Sequence, residues 1–143
     1  MEKLDVNKLL RALENDKNAS LIKEDLKTIE TVKMNMIKNL HLSEKDTQTM
    51  LGKLNHYRFV DELPDMKYGS YIKWIRLTNP DVLRLTNGGI VCEMKVGVNG
   101  IIVVCRNSLN KYFQVNMSES LIFRKLTEQE LVLLSALDFI NNS

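Results

Sequence analysis

The sequence predicts an α+β protein with a helical N-terminal region, a small antiparallel β-sheet and a C-terminal helix. Apolar residues recur at helical spacing early in the chain, and the period changes to two from Tyr68 onwards. The C-terminal stretch opens with a helix-capping motif and is then largely apolar. The 143 residues correspond to about one domain. We place the boundaries of its parts at 1–63, 64–126 and 127–143.

Three amphipathic helices are expected before Pro64. Their apolar stripes are Val6, Leu9, Leu10 and Leu13 in the first, Ile22, Leu26, Ile29, Val32, Met36, Ile37 and Leu40 in the second, and Met50, Leu51, Leu54 and Tyr57 in the third. Asp5 and Ser20 are candidate N-caps of the first two, and Ser43 with Asp46 resembles a capping box that opens the third. Pro64 ends this region because the residue before a proline disfavours the helical conformation.

Five short strands are predicted after Pro64. They are Tyr71–Leu77, Ile90–Val98, Ile101–Arg106, Lys111–Val115 and Leu121–Lys125, all rich in aromatic and β-branched residues. A long loop follows the first strand, and a brief crossover at 116–120 precedes the last. This pattern predicts an SH3-like five-stranded antiparallel β-barrel, and it is also compatible with an OB-like barrel. Such a small barrel would benefit from flanking helices, since it buries only about 60% of its unfolded surface.

Asn99-Gly100 predicts the central hairpin, because a type I′ turn requires positive φ at both central residues. In that register Val98 lies opposite Ile101, and Glu93 lies opposite Arg106. One face then carries Met94, Val96, Val98, Ile101, Val103 and Cys105. Cys92 falls on the same face, too far from Cys105 for an easy disulfide. We therefore expect both thiols to be small apolar core residues.

The C-terminal helix is predicted from a complete Thr-x-x-Glu capping box at Thr127 and Glu130. The apolar residues that follow are Leu131, Val132, Leu133, Leu134, Ala136, Leu137, Phe139 and Ile140. A helix that is apolar on more than one face is expected to pack against the sheet, the helical region or another molecule.

The net charge is unevenly distributed along the chain. The total is only +2, from 20 Lys plus Arg and 18 Asp plus Glu, but residues 67–126 carry nine basic and three acidic side chains, a net charge of +6. A basic segment favours an anionic partner. No apolar run approaches the roughly 18 residues that span a bilayer, and the N-terminus does not resemble a signal peptide. We therefore expect no membrane partner and an intracellular location.

The motifs of several enzyme classes are missing from the sequence. There is no glycine-rich phosphate-binding motif. The candidate zinc ligands His41, His56, Cys92 and Cys105 fall in different predicted elements, and no third group supports a Cys–His nucleophile pair. The acidic residues Asp61, Glu62 and Asp65 are interpreted as a solvated linker. We therefore predict a protein that is not an enzyme and has no metal, cofactor or small-molecule substrate.

Three segments carry a resemblance to a known group of proteins. These are Tyr68–Ile75, Leu85–Val91 and Leu121–Leu126, which fall in the second half of the chain. In these segments the sequence resembles small uncharacterised proteins of large nucleocytoplasmic DNA viruses. The resemblance implies an intracellular viral setting, either the host cytoplasm or the virion, and it assigns no catalytic residues.

Cations and aromatic residues are interleaved along the predicted strands. The candidate binding residues are Tyr71, Lys73, Trp74, Arg76, Lys95, Arg106, Lys111, Tyr112 and Arg124. Small barrels bind single strands of nucleic acid by stacking bases on aromatic rings while cations contact phosphates. They also bind peptides in aromatic grooves, although polyproline binding is disfavoured because the first loop holds a single acidic residue, Asp81.

Two functions follow from this pattern. The leading hypothesis is a protein–protein interaction or structural assembly component that binds a protein partner or self-associates. The alternative is a nucleic-acid-binding module, which requires Lys73, Arg76, Arg106 and Lys111 to share one exposed face.

Overall fold

The computed structural model describes residues 7, 8, 10, 11 and 26–141. Residues 26–141 form three α-helices and one six-stranded antiparallel sheet, which confirms the α+β class and the C-terminal helix. The elements are α1 (Leu26–Lys38), α2 (Glu44–Lys53), β1 (Tyr57–Val60), β2 (Tyr71–Arg76), β3 (Gly89–Gly97), β4 (Gly100–Arg106), β5 (Tyr112–Asn116), β6 (Ser120–Lys125) and α3 (Glu128–Asn141). Short 3₁₀ helices span Leu63–Asp65 and Met117–Glu119.

Two of the predicted helix caps are confirmed. The Ser43 hydroxyl accepts a hydrogen bond from the Asp46 amide at 3.1 Å. The Thr127 hydroxyl accepts one from the Glu130 amide at 3.1 Å, while the Glu130 carboxylate accepts one from the Thr127 amide at 2.9 Å. These bonds satisfy amides that have no partner within the first helical turn. Some residues of the first two predicted helices lie outside the described residues. They are the candidate caps Asp5 and Ser20 and the apolar residues Val6, Leu9, Leu13 and Ile22.

The third predicted helix ends earlier than expected, and a strand follows it. His56 has a left-handed backbone conformation (φ 64°), which interrupts the helical path. Tyr57 therefore begins β1 instead of completing a helical stripe. Because β1 pairs with β6, the sheet takes a strand from the region predicted to be helical.

The predicted five-stranded SH3-like barrel is therefore not confirmed, because the sheet has six strands and is not closed. The strand order is β1-β6-β2-β3-β4-β5, so that β1 and β5 are the two edges of an open sheet. Every pair of neighbouring strands is antiparallel.

The predicted hairpin register is wrong by two residues. Ile101 pairs with Val96, whereas Val98 lies in the turn and is fully exposed. Only Gly100 among the residues of this turn has positive φ (123°), so the Asn-Gly pair does not form the type I′ turn that needs two such residues. Because side chains alternate with a period of two, the shift leaves Val96 and Ile101 on a common face.

The two cysteines occupy different environments. A β-bulge between Val91 and Glu93 leaves Cys92 as the extra residue of β3, and its side chain is exposed. The expectation of a core position is thus wrong for Cys92. It is confirmed for Cys105, which pairs with Val91 and is fully buried.

One face of the sheet forms a core of its own. The buried members of this inner cluster are Val60, Met66, Ile72, Trp74, Val91, Val103, Cys105, Val115 and Ile122, which include a residue from every strand and, within the described residues, none from an α-helix. The rings of Trp74 and Phe113 lie 6.3 Å apart, although β3 and β4 separate their strands. In a flat sheet three strand spacings would hold β2 and β5 about 14 Å apart. The sheet is therefore strongly curled around this cluster.

The helices cover only part of the outer face. Ile37 of α1 and Met50 of α2 pack with Ile75, Leu121 and Phe123 in a second cluster. A third cluster joins α3 to α1 and includes Ile29, Leu126, Leu133 and Leu134. The outer face of β3, β4 and β5 is left largely exposed. None of the described helices is long and apolar enough to cross a membrane.

The cysteine environments predict different reactivities. Burial, with a smaller contribution from Cys92, raises the pKa of the Cys105 thiol to about 11, so little of the reactive thiolate forms at pH 8. With an aromatic disulfide reagent at pH 8, the native protein should react rapidly only at Cys92, and Cys105 should react after unfolding in guanidinium chloride. The control is Cys92→Ser, whose native form should react slowly. Rapid reaction of that variant would contradict the buried position of Cys105.

Candidate functional site: an aromatic groove beside the β2–β3 loop

The structure distributes the nine predicted binding residues over both faces of the sheet. Tyr71, Ile90, Arg106 and Tyr112 are successive cross-strand neighbours in β2, β3, β4 and β5, and they share the outer face. The alternation of side chains places Lys73 and Lys95 on the same face.

The cations of the outer face do not form a continuous basic surface. The Lys73 ammonium lies over the Tyr57 ring, 5.4 Å from its centroid, and the Lys95 ammonium is 4.0 Å from the Glu93 carboxylate. Arg76 lies on the other face of β2, together with Trp74, and both line the groove described below. Lys111 lies in the turn before β5. The single exposed face expected for Lys73, Arg76, Arg106 and Lys111 is therefore not formed.

Arg124 is a structural residue instead of an exposed contact. Its side chain is only 1% exposed, and its guanidinium makes two hydrogen bonds to the Glu130 carboxylate at 2.6 and 2.8 Å. The guanidinium also donates a hydrogen bond to the Asp65 carbonyl at 2.8 Å. This arrangement satisfies a buried charge with a bidentate partner and fastens α3 to β6. The expectation that Arg124 contacts a partner is wrong.

Further charges surround this buried pair. Lys67 lies 3.7 Å from the Glu130 carboxylate, and Arg58 lies 3.5 Å from the Asp65 carboxylate. Burial alone would raise the pKa of Glu130. The hydrogen bonds and charge of Arg124, together with the Thr127 amide and Lys67, outweigh burial and lower it. Asp65 is buried here, so it does not belong to a solvated acidic linker as expected.

Trp74 lies at the base of a groove. Trp74 is 6% exposed and belongs to the inner cluster, so its indole does not offer the free face for stacking that was expected. The groove has a volume of about 460 Å³ and runs between the β2–β3 loop (residues 77–88) and the β4–β5 loop (residues 107–111). We call it the Trp74 groove. It is lined by Tyr71, Trp74, Arg76, Val82, Arg84, Thr86, Asn87, Gly88, Asn107, Ser108, Leu109 and Phe113.

One wall of the groove is an extended segment with alternating contacts. Leu83 and Leu85 pack against the second cluster, which contains residues of α1 and α2. Val82, Arg84 and Thr86 line the groove instead. The wall is therefore fixed to the helical part of the protein by its leucines, while the intervening residues remain available for contact.

Hydrogen bonds hold the groove in place at several points. The Thr86 hydroxyl accepts a hydrogen bond from the Trp74 amide at 3.1 Å, and the Thr86 amide donates to the Trp74 carbonyl at 3.0 Å. The Tyr71 hydroxyl donates to the Asn87 carbonyl at 2.6 Å. On the other side, the Asn107 side chain accepts hydrogen bonds from the amides of Leu109 and Lys111, which shapes the β4–β5 loop. The groove is thus preformed.

Exposed apolar side chains and guanidinium groups define what the groove can bind. Val82 is 49% exposed, Leu109 is 73% exposed and Phe113 is 42% exposed. Arg76 and Arg84 are exposed and are the ionic side chains of the lining. A guanidinium stays protonated at physiological pH and only donates hydrogen bonds, so these groups suit the binding of anions better than proton transfer.

The sequence patterns singled out Tyr71, Trp74 and Arg76, which line this groove, but not Val82, Arg84 or Leu109. The alternation in Val82-Leu83-Arg84-Leu85-Thr86 is a period-two signal that could have indicated an extended segment with two different sides. No local pattern places the β4–β5 loop opposite this segment, because their proximity results from the curl of the sheet.

Comparisons with known proteins add no relative. No protein-family model, curated protein or solved structure matches the chain. In the described part of the chain, no group of three or more His, Cys, Asp or Glu side chains could hold a metal ion.

The Arg124–Glu130 pair predicts a pH dependence of stability. A lowered pKa means that folding favours the ionised carboxylate, so Glu130 stabilises the protein above its ordinary pKa of 4.5. That stability is lost as the pH falls through the lowered value. Glu130→Gln should reduce the free energy of unfolding at pH 7 by about 3 kcal/mol, because it leaves a buried guanidinium without its counter-charge.

Urea unfolding between pH 7 and pH 3 tests this prediction. The stability difference between the wild type and Glu130→Gln should shrink as the pH falls below 4.5. The matched control is Glu128→Gln in the same helical turn. Glu128 is 74% exposed, so this change should alter the stability by less than about 1 kcal/mol. Parallel loss of stability by wild type and Glu130→Gln would contradict the assignment.

Proposed function

We propose that this chain is a non-enzymatic protein-interaction module whose Trp74 groove binds a short segment of a protein partner. The observation that carries the proposal is an aromatic base, Trp74 and Phe113, between exposed apolar rims at Val82 and Leu109. Aromatic and arginine side chains are enriched in the buried centres of protein interfaces. A preformed groove also lowers the entropic cost of binding.

We also propose that strands β2 to β6 form an SH3-like, strongly curled unit within the open sheet, and that β1 extends this unit. The order β6-β2-β3-β4-β5, the long loop after β2 and the 3₁₀ helix before β6 support this assignment. Peptide grooves beside loops are a recurrent use of small barrels. The viral setting and the assembly role implied by the resemblance of the second half stay predictions.

Nucleic-acid binding also stays a prediction from the sequence. The cations expected on one face are divided between the outer face and the Trp74 groove, and the Trp74 indole is buried. These positions favour the protein partner, because a single strand stacks successive bases on several exposed rings, and of Trp74 and Phe113 only Phe113 is exposed.

Selection of peptides on the full-length chain tests the proposal. Random 12-residue peptides displayed on phage are selected against the immobilised protein, and the enriched peptides are measured in solution by fluorescence anisotropy. Leu109→Asp should weaken their binding at least tenfold, because it places a charge at the apolar rim. Its circular dichroism spectrum should be unchanged, since Leu109 is 73% exposed.

Val98→Asp is the matched control. Val98, like Leu109, is an exposed apolar residue, but it lies in the β3–β4 turn outside the groove lining. This variant should bind the selected peptides like the wild type. Absence of enriched peptides, or equal binding to the Leu109→Asp protein, would overturn the proposed function.

A further inference from the structure

The charges of the Trp74 groove are of one sign. Arg76 and Arg84 lie on the lining, and the lining includes no Asp or Glu. Asp81 is the single acidic residue of the β2–β3 loop, and it is not part of the lining. An occupant of this groove therefore meets two cations and no anion.

These two arginines differ from the arginines of the protein interior. Arg58 and Arg124 are buried beside the carboxylates of Asp65 and Glu130. Among the described residues, no carboxylate forms an ion pair with Arg76 or Arg84, and both side chains are exposed. Their charge is therefore available to a binding partner.

The apolar surroundings determine how strongly that charge acts. An ion pair in open water contributes little, whereas a partner that covers Val82, Leu109 and Phe113 would also exclude water from the guanidinium groups. A guanidinium binds a carboxylate through two parallel hydrogen bonds, which adds geometric selectivity. The groove thus combines an apolar anchor site with two carboxylate-binding groups.

We propose that the partner segment is acidic, with Asp or Glu side chains on either side of an apolar residue. This inference rests on the proposed function and specifies its ligand. The apolar residue packs on Phe113, between the exposed side chains of Val82 and Leu109. The flanking carboxylates pair with Arg76 and Arg84. A single strand of nucleic acid is the competing anionic ligand. It stacks successive bases on several rings, whereas Trp74 is buried and Phe113 alone of the two rings at the base of the groove is exposed.

Three series of synthetic 12-residue peptides test the inference with the full-length chain. All contain the same central Leu and Phe residues, and the flanking positions are Glu in one series, Gln in the second and Lys in the third. Fluorescence anisotropy at 50 mM and 300 mM NaCl should show at least tenfold tighter binding of the Glu series than of the Gln series at low salt. The Lys series should bind most weakly, and the preference for Glu should decrease at high salt.

Arginine variants locate the effect. The double variant Arg76→Gln/Arg84→Gln should lose the preference for Glu over Gln while it still binds the Gln series. Arg106→Gln is the matched control, since Arg106 is an exposed arginine on the outer face and lies outside the groove lining. It should keep the preference within a factor of two.

The outcomes separate this inference from the proposed function. Equal binding of the Glu and Gln series, with Leu109→Asp still weakening both, would overturn the acidic partner and leave the protein-interaction groove standing. Binding of no series would overturn the acidic partner, and binding of no phage-selected peptide would overturn the groove as well. An oligodeoxythymidylate 12-mer that displaces the Glu peptide at equal concentration would assign the groove to nucleic acid and contradict the inference.

Discussion

The architecture depends on the curl of a single antiparallel sheet around its own inner face. Residues from all six strands contribute to the inner cluster, and the described helices add no buried residue to it. A face that buries itself in this way needs no second layer, because the sheet supplies both sides of the core. The contact between Trp74 and Phe113 joins strands that a flat sheet would keep apart.

The same curl creates the candidate site. It brings the β4–β5 loop towards the β2–β3 loop and leaves an aromatic base between them. The helices then fix one wall of the groove, because Leu83 and Leu85 pack against the second cluster. The buried Arg124–Glu130 pair has a different role, since it joins α3 to the sheet away from this surface. Arg124 and Glu130 therefore serve only the scaffold, whereas Trp74 belongs both to the inner cluster and to the groove.

Local features of the fold could be predicted from the sequence, and non-local ones could not. The capping residues Ser43 and Thr127 act within one helical turn, so the two partners of each hydrogen bond are only three residues apart in the sequence. In the sequence, Arg124 does not differ from the other cations of the strands. In the structure it is bound by Glu130 and by the Asp65 carbonyl, which is distant in sequence. Burial of that cation is a tertiary effect with no local signal.

The hairpin and the groove also combine local features that the sequence predicts with non-local features that it does not. Asn99-Gly100 correctly indicates a turn, but the pair is compatible with more than one turn geometry, and the structure has positive φ only at Gly100. The bulge at Cys92 then changes the pairing along the rest of β3. For the groove, the sequence identified Trp74 and Arg76 but not Leu109, since only the curl places the loop of Leu109 beside them.

The distance between the Trp74 and Phe113 rings tests this account most directly. A nuclear Overhauser spectrum of the full-length chain should contain cross-peaks between the indole protons of Trp74 and the ring protons of Phe113, whose ring centroids lie 6.3 Å apart. Such cross-peaks would demonstrate the curl that forms both the inner core and the groove. Their absence from a spectrum that shows the β3–β4 and β4–β5 cross-strand contacts would contradict the curl and the site that depends on it.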